Sequence, residues 1–216
     1  MDRPRPVWIG NSMGGLIGYT TQRIYSDLLS RDSKATNEGK LFSKLALIVP
    51  CIMPKGISYF HRAVFLVLSY ITPKWWQSTP FVHLGDMSLE SHYLSHDKSF
   101  MTYWYTFRLL ASRWLKSSGC SLDFTRWMTF MGADSLLKGE PEVIQNTDIL
   151  VVVAEDDRFV ETQMIRDFYS VISKPSTTRT GKRNLVEIPG TWHEVWGEGP
   201  SVTKKLMKMI EDLIGS

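Results

Sequence analysis

Cysteine is scarce: Cys51 and Cys120 are the only two in 216 residues, far apart and without a CxxC spacing. That excludes a disulfide framework and a paired-cysteine zinc site, and makes a reducing compartment the default expectation. Long apolar runs are missing too. The most apolar stretch, Ala63 to Ile71, is interrupted by Ser69 and falls well short of the roughly 20 residues that a membrane-spanning helix needs. It is compatible with contact at a membrane surface and not with a crossing. The first six residues are basic and rich in proline but lead only into Val7-Trp8-Ile9, ended by Gly10, which is not the apolar segment of a secretory signal. The expected location is therefore cytoplasmic, with peripheral contact to a membrane. Charge of one sign is nowhere concentrated: the net charge is +3, with acidic and basic residues interspersed, so nucleic acid is not an expected partner. Internal repeats and low-complexity tracts are absent as well.

What is present is a composition of 43% hydrophobic residues, enough for one sizeable core. Four short apolar segments rich in branched residues read as strands buried on both faces: Val7 to Ile9, Leu45 to Val49, Ile149 to Ala154 and Leu185 to Ile188. Helical periodicity follows most of them. Met13 to Leu29 offers Leu16, Ile17, Thr20, Ile24 and Leu28 along one face, and Thr162 to Ile172 offers Ile165, Phe168, Tyr169 and Ile172. Near the end, Val202, Leu206, Met209, Ile210 and Leu213 form a stripe with Lys204, Lys205 and Lys208 opposite and Gly215 as the stop. Alternating strands and helices imply an α/β fold with a parallel half-sheet of about four strands, in which chemistry collects at the strands' carboxyl ends. From 53 to 141 the pattern changes to aromatic-rich helical sequence, including Trp75, Trp76, Tyr103, Trp104, Tyr105, Trp114 and Trp127, too long for an ordinary connection. The expected organisation is a core of 1–52 and 142–216 interrupted by a helical lid at 53–141.

Gly10-Asn11-Ser12-Met13-Gly14-Gly15 follows a strand candidate directly and opens a helix candidate, the context that a G-x-S-x-G nucleophile elbow requires. A serine at a sharp strand-to-helix turn occupies strained backbone, and small neighbours let the flanking segments pass. The turn exposes the Ser12 hydroxyl and aims the first amides of the helix, notably that of Met13, at a developing oxyanion. A serine hydroxyl is a poor nucleophile at neutral pH and needs a histidine base oriented by a carboxylate. Asp156 and Asp157 follow the strand Ile149 to Ala154, and His193 lies in a loop after the last strand. The order Ser, Asp, His is that of serine hydrolases with this elbow. The remaining histidines, His61, His83, His92 and His96, fall in the 53–141 segment and read as structural. His92 and His96 share a helical spacing, but Tyr93 stands where the H-E-x-x-H pattern has its glutamate and no third ligand offers itself. Zinc is not expected.

These residues resemble the monoglyceride-lipase and bacterial lysophospholipase group of α/β-hydrolases. Family members typically read Gly-His-Ser-Met-Gly-Gly at the elbow, and only the histidine is replaced here, by Asn11. The segment Ala154-Glu155-Asp156-Asp157-Arg158-Phe159-Val160 is similar to the family's acid motif, in which the carboxylate before the arginine is the triad acid; this points to Asp157 over Asp156. Trp192-His193-Glu194, with Glu198 shortly after, resembles the family's histidine-glutamate loop. Membrane-associated lysophospholipases are the nearest likeness, through Arg158 to Phe168, the last helix, and Asp123 to Trp127. The resemblance implies an esterase of lipids with one fatty acyl chain, of lysophospholipase or monoacylglycerol lipase type. Its catalytic residues would be Ser12, Asp157 and His193, with the Met13 amide in the oxyanion hole. It implies a lipid or acyl-ester substrate and neither a metal nor an organic cofactor.

The chain departs from the family further. It has no His-Gly dipeptide, which in the family supplies the second oxyanion donor, and its elbow serine arrives at residue 12, so it is expected to begin within the family fold. Val7 to Ile9 would then present an unpaired apolar edge, blunted by Pro4 and Pro6, and an invitation to association. Two other readings stand beside the esterase: a catalytically inactive lipid-binding or interaction module derived from this fold, and an enzyme of the same fold with other chemistry.

Overall fold

A computed structural model describes residues 5–31, 41–55, 94–101, 146–177 and 179–216, together with 60, 63–64, 67–68, 71–73, 80–83, 119–121 and 144. In chain order the elements are β1 (Val7–Asn11), α1 (Met13–Arg31), β2 (Lys44–Ile48), β3 (Pro80–His83), β4 (Gly119–Ser121), β5 (Asp148–Ala154), α2 (Thr162–Ile172), β6 (Arg183–Ile188), a 3-10 turn (Val195–Gly197) and α3 (Pro200–Gly215). The strands β1, β2, β5 and β6 lie side by side in that order, all parallel.

The two central strands carry the core. Leu45, Ala46, Leu47 and Ile48 of β2, and Val151, Val152, Val153 and Ala154 of β5, are fully buried. Successive strand residues point to opposite sides, so both faces of the sheet are covered at its centre. Parallel strands joined by right-handed crossovers put α1 and α2 on one face, where Tyr19 and Phe168 meet edge to face with ring centroids 4.9 Å apart. α3 packs on β2 and β5 through buried Leu206, Ile210 and Leu213, and the Lys44 ammonium ties its last turn to the sheet by donating to the Leu213 carbonyl at 2.7 Å.

Two expectations about burial change. The outer strands are not buried on both faces: in β1 only Gly10 is buried and Ile9 is 46% exposed, and in β6 only Ile188 is buried. Each has a single strand neighbour among the described residues. The packed face of α1 is also rotated from the one its apolar pattern marks. Leu16 and Thr20 are buried as expected, but Ile24 and Leu28 are exposed, while Tyr19, Gln22, Arg23 and Ser26 turn inward. Polar side chains that turn inward find backbone partners: the Gln22 side-chain carbonyl accepts the Phe42 amide of the segment leading into β2 at 2.9 Å, and the Ser26 hydroxyl donates to the Gln22 carbonyl of its own helix at 2.8 Å. Within 53–141 the sequence reads as helical throughout, yet β3 and β4 form an antiparallel two-stranded ribbon. Much of that segment, including all five of its tryptophans, lies outside the described residues.

The crossing of β1 and α1 fixes where the site stands. Trp8 lies along α1, its indole nitrogen donating to the Gly14 carbonyl at 2.9 Å. A Cβ added to Gly10 would stand 2.3 Å from the Gly14 carbonyl oxygen, whereas one added to Gly14 meets nothing within 4 Å. Gly10→Ala is therefore expected to lower the unfolding free energy by about 1–3 kcal/mol, as overpacking against rigid backbone does. Gly14→Ala should hold stability or raise it by roughly 0.5 kcal/mol, because alanine is the better helix former. Urea unfolding of both variants checks the contrast.

Candidate active site

The strand β1 ends at Asn11, and Ser12 turns the chain into α1 with φ of 51°. That is a left-handed conformation a serine adopts only when its surroundings impose it. They do so through β2 and the residues after it, the Ser12 amide donating to the Ile48 carbonyl at 2.8 Å and the Ser12 carbonyl accepting the Cys51 amide at 3.0 Å, while the Gly15 amide of α1 donates to the same carbonyl at 3.1 Å. Val49 next to Ile48 is held at φ 45°, a larger departure for a β-branched residue. Two adjacent strand ends are thus strained at the same place.

Ser12, Asp157 and His193, far apart in sequence, form one hydrogen-bonded chain at the carboxyl ends of the strands. Ser12 Oγ lies 2.8 Å from His193 Nε2, and His193 Nδ1 lies 2.8 Å from Asp157 Oδ2. A carboxylate only accepts, so Nδ1 carries the proton and donates to Asp157, which leaves Nε2 free to accept from the serine hydroxyl. Asp157 is fully buried and His193 nearly so, while Ser12 is half-buried. The buried carboxylate is well supplied with donors: its Oδ1 accepts the Phe159 amide at 2.6 Å and the Val160 amide at 2.9 Å. Lys55 donates to the Asp157 carbonyl, and the Phe159 ring lies 5.1 Å from the imidazole. Asp156 is exposed and its amide serves the Thr191 carbonyl at 3.1 Å, so geometry separates the two adjacent aspartates. Met13 opens α1; as the first helical residue its amide has no intrahelical acceptor, and it sits in the positive end of the helix dipole.

Several contacts here carry no sequence signal strong enough to name them beforehand. Asn11, in the variable position of the elbow, donates from Nδ2 to Glu194 Oε2 at 3.1 Å and so links the residue before the serine to the residue after the histidine. His96, expected to be structural, is bound to Glu198, its Nδ1 donating to Oε2 at 2.9 Å. His83 lies on β3, and His61 and His92 fall outside the described residues. Among the described residues no three His, Cys, Asp or Glu side chains are grouped to hold a metal ion, and no helix is long and apolar enough to cross a membrane.

Cys51, whose amide braces Ser12, is 2% exposed. Burial, with the Asp157 charge adding to it, pushes its thiol from 9.0 up to about 12. The folded protein thus holds the neutral thiol where the unfolded chain ionises. The resulting stability is complete below about pH 9 and is lost as pH rises toward 12. In a Cys120→Ser background, Cys51 is expected to resist a disulfide reagent at pH 8 in the folded protein and to react fully in denaturant. Fast reaction before unfolding would contradict this placement.

No protein-family model matches the sequence, and no curated protein sequence matches it. Solved structures do. A soluble variant of monoglyceride lipase from Saccharomyces cerevisiae, in complex with a substrate analog, superposes with a TM-score of 0.63 at 15% identity, covering 96% of this chain and 63% of that one. The monoacylglycerol lipase of Paleococcus ferrophilus gives 0.66 at 15% identity, covering 98% and 69%. A carboxyl esterase from Bacillus coagulans, in complex with glycerol, gives 0.54 at 13% identity, covering 99% and 65%. The chain spans about two thirds of the length of these structures. What they share with it is the fold: a partial α/β-hydrolase fold, with its parallel sheet of four strands and flanking helices.

Proposed function

From an α/β-hydrolase fold in which Ser12, His193 and Asp157 stand in hydrogen-bonding sequence, we propose that this chain is a serine-dependent hydrolase of carboxylic esters bearing a fatty acyl chain. The reading commits to the lysophospholipase or monoacylglycerol lipase type. The observation that carries it is the pair of 2.8 Å contacts that connect Ser12 Oγ through His193 to Asp157. His193 Nε2 removes the hydroxyl proton as Ser12 Oγ attacks the ester carbonyl, and a tetrahedral oxyanion forms beside the Met13 amide. The buried Asp157 carboxylate stabilises the imidazolium and holds its tautomer. The imidazolium then delivers its proton to the departing alcohol, leaving an acyl-Ser12 ester. Water, deprotonated by the same nitrogen, attacks that ester and releases the fatty acid with Ser12 restored.

The choice of a monoacyl lipid rests on the elbow, acid and histidine motifs and on the neighbours named as monoglyceride and monoacylglycerol lipases. The substrate reaches Ser12 from a lipid surface that the protein contacts peripherally, in the cytoplasm.

A fluorophosphonate probe is expected to label Ser12 in the folded protein, with no labelling of Ser12→Ala. Asp157→Asn should reduce ester hydrolysis by about ten-thousandfold, since asparagine favours the wrong imidazole tautomer. In a panel of monoacyl lipids, short esters and peptides, the monoacyl lipids should turn over fastest. A folded wild type that binds acyl chains but takes no label is the outcome that favours an inactive lipid-binding module instead.

A further inference from the structure

The loop that carries His193 is anchored by a segment of the chain read from sequence only as part of a lid. Residues 94–97 lie against it through a continuous set of bonds. The Glu194 amide donates to the Leu94 carbonyl at 2.7 Å, and the Ser95 hydroxyl donates to the Gly197 carbonyl at 2.8 Å. The centre of this set is Glu198, whose side chain is only 4% exposed. Its Oε1 accepts the Trp192 amide at 3.1 Å and the His96 amide at 3.2 Å, and its Oε2 accepts from His96 Nδ1 at 2.9 Å. A buried carboxylate is costly unless its lone pairs are matched in this way, and once matched it fixes the groups that match it.

The ring contacts reinforce the arrangement. The His96 imidazole stacks on the Trp192 indole with centroids 3.8 Å apart, and Arg158 lies over the same indole at 4.2 Å. Arg158 follows Asp157 and Trp192 precedes His193, so one stack spans the residues adjoining both the acid and the base. Phe100 presses on Gly197, where an added Cβ would come within 2.2 Å of its ring. The segment keeps its own shape as well: Asp97 Oδ1 accepts the amides of Ser99 at 2.8 Å and Phe100 at 3.0 Å, capping a helical turn.

We propose that Glu198 is a positioning residue for His193, and that through Glu198 and His96 the 94–97 segment determines whether the imidazole faces both Ser12 and Asp157. Glu198 touches no reacting atom. It acts by holding the Trp192 amide, one residue before the base, against a segment that arrives from elsewhere in the chain. Any substrate or surface that displaces 94–97 therefore reaches the hydrogen-bonded chain at Ser12. This inference rests on the serine-hydrolase reading for its consequence in rate, and on the geometry alone for its consequence in structure.

The test follows both. The rate of fluorophosphonate labelling is measured together with the NMR signal of the His193 Nδ1 proton bonded to Asp157, in wild type, Glu198→Ala, Glu198→Gln and His96→Ala. Misplacement of a base by about an ångström costs on the order of a hundredfold. Glu198→Ala is thus expected to slow labelling by roughly 10- to 100-fold and to broaden or remove the proton signal. Glu198→Gln retains an acceptor for the two amides and should restore both readouts to within about threefold. His96→Ala, which leaves Glu198 and the backbone bonds in place, should slow labelling by about three- to tenfold and carries the test should Glu198→Ala fail to fold. A wild type that takes no label but loses the proton signal in Glu198→Ala, with recovery in Glu198→Gln, supports the positioning role and overturns the hydrolase reading. Rates and signal at wild-type level in both Glu198→Ala and His96→Ala overturn the proposal. So does a Glu198→Gln variant that falls as far as Glu198→Ala.

Discussion

The close crossing of β1 over α1 at Gly10 is the constraint on which the remaining structure depends. A strand can turn directly into a helix with no intervening loop only if the two backbones pass nearly in contact, and the space between Gly10 and the Gly14 carbonyl admits no side chain. The turn left between them is Ser12 in a left-handed conformation, a strain offset by the two backbone bonds that β2 and its following residues contribute. Remove the close crossing and Ser12 loses its angle of presentation, Trp8 its bed along α1, and the amide of Met13 its direction. The packing of the sheet and the exposure of the serine are one arrangement.

The same dependence extends across the sheet. β2 supplies the braces for Ser12, β5 delivers Asp157, and the residues following β6 deliver His193, so the order β1-β2-β5-β6 sets the distances among the three. Neighbouring parallel strands lie about 5 Å apart, and loops at their carboxyl ends bring side chains from three of them within hydrogen-bonding reach. Asp157 is worth burying there only because two amides and an imidazole satisfy it. That satisfaction makes the aspartate an orienting group of fixed geometry.

Much of this was legible in the sequence, for identifiable reasons. Parallel strands leave short runs of branched apolar residues, and the four marked in the sequence lie within two residues of the observed strands at each end, although only β2 and β5 are buried on both faces. The glycines around Ser12 announce a turn, and at Gly10 the crossing leaves no room for a side chain. The adjacent aspartates are alike in their place after the strand; the resemblance of the acid segment points to Asp157, and burial and the bond to His193 distinguish it from Asp156. The inward face of α1 was misread at Ile24 and Leu28 because hydrophobic spacing marks what is apolar, not what is covered; Gln22 and Ser26 are buried to satisfy backbone groups that periodicity does not register. The ribbon of β3 and β4 was missed because a segment dense in aromatics reads equally well as helix or strand. The bond between His96 and Glu198 joins residues 102 apart, and nothing local to either announces it.

Hydrolysis through Ser12 requires a covalent acyl intermediate, and the most direct measurement is the intact mass of the protein during turnover. Mixed rapidly with a p-nitrophenyl ester of a long-chain fatty acid and quenched in acid, the chain should release about one equivalent of nitrophenol in an initial burst. Its mass should rise by one acyl group, recovered on the peptide that contains Ser12. Release of nitrophenol with no acylated species, and at the same rate in Ser12→Ala, would contradict the assignment of Ser12 as the nucleophile.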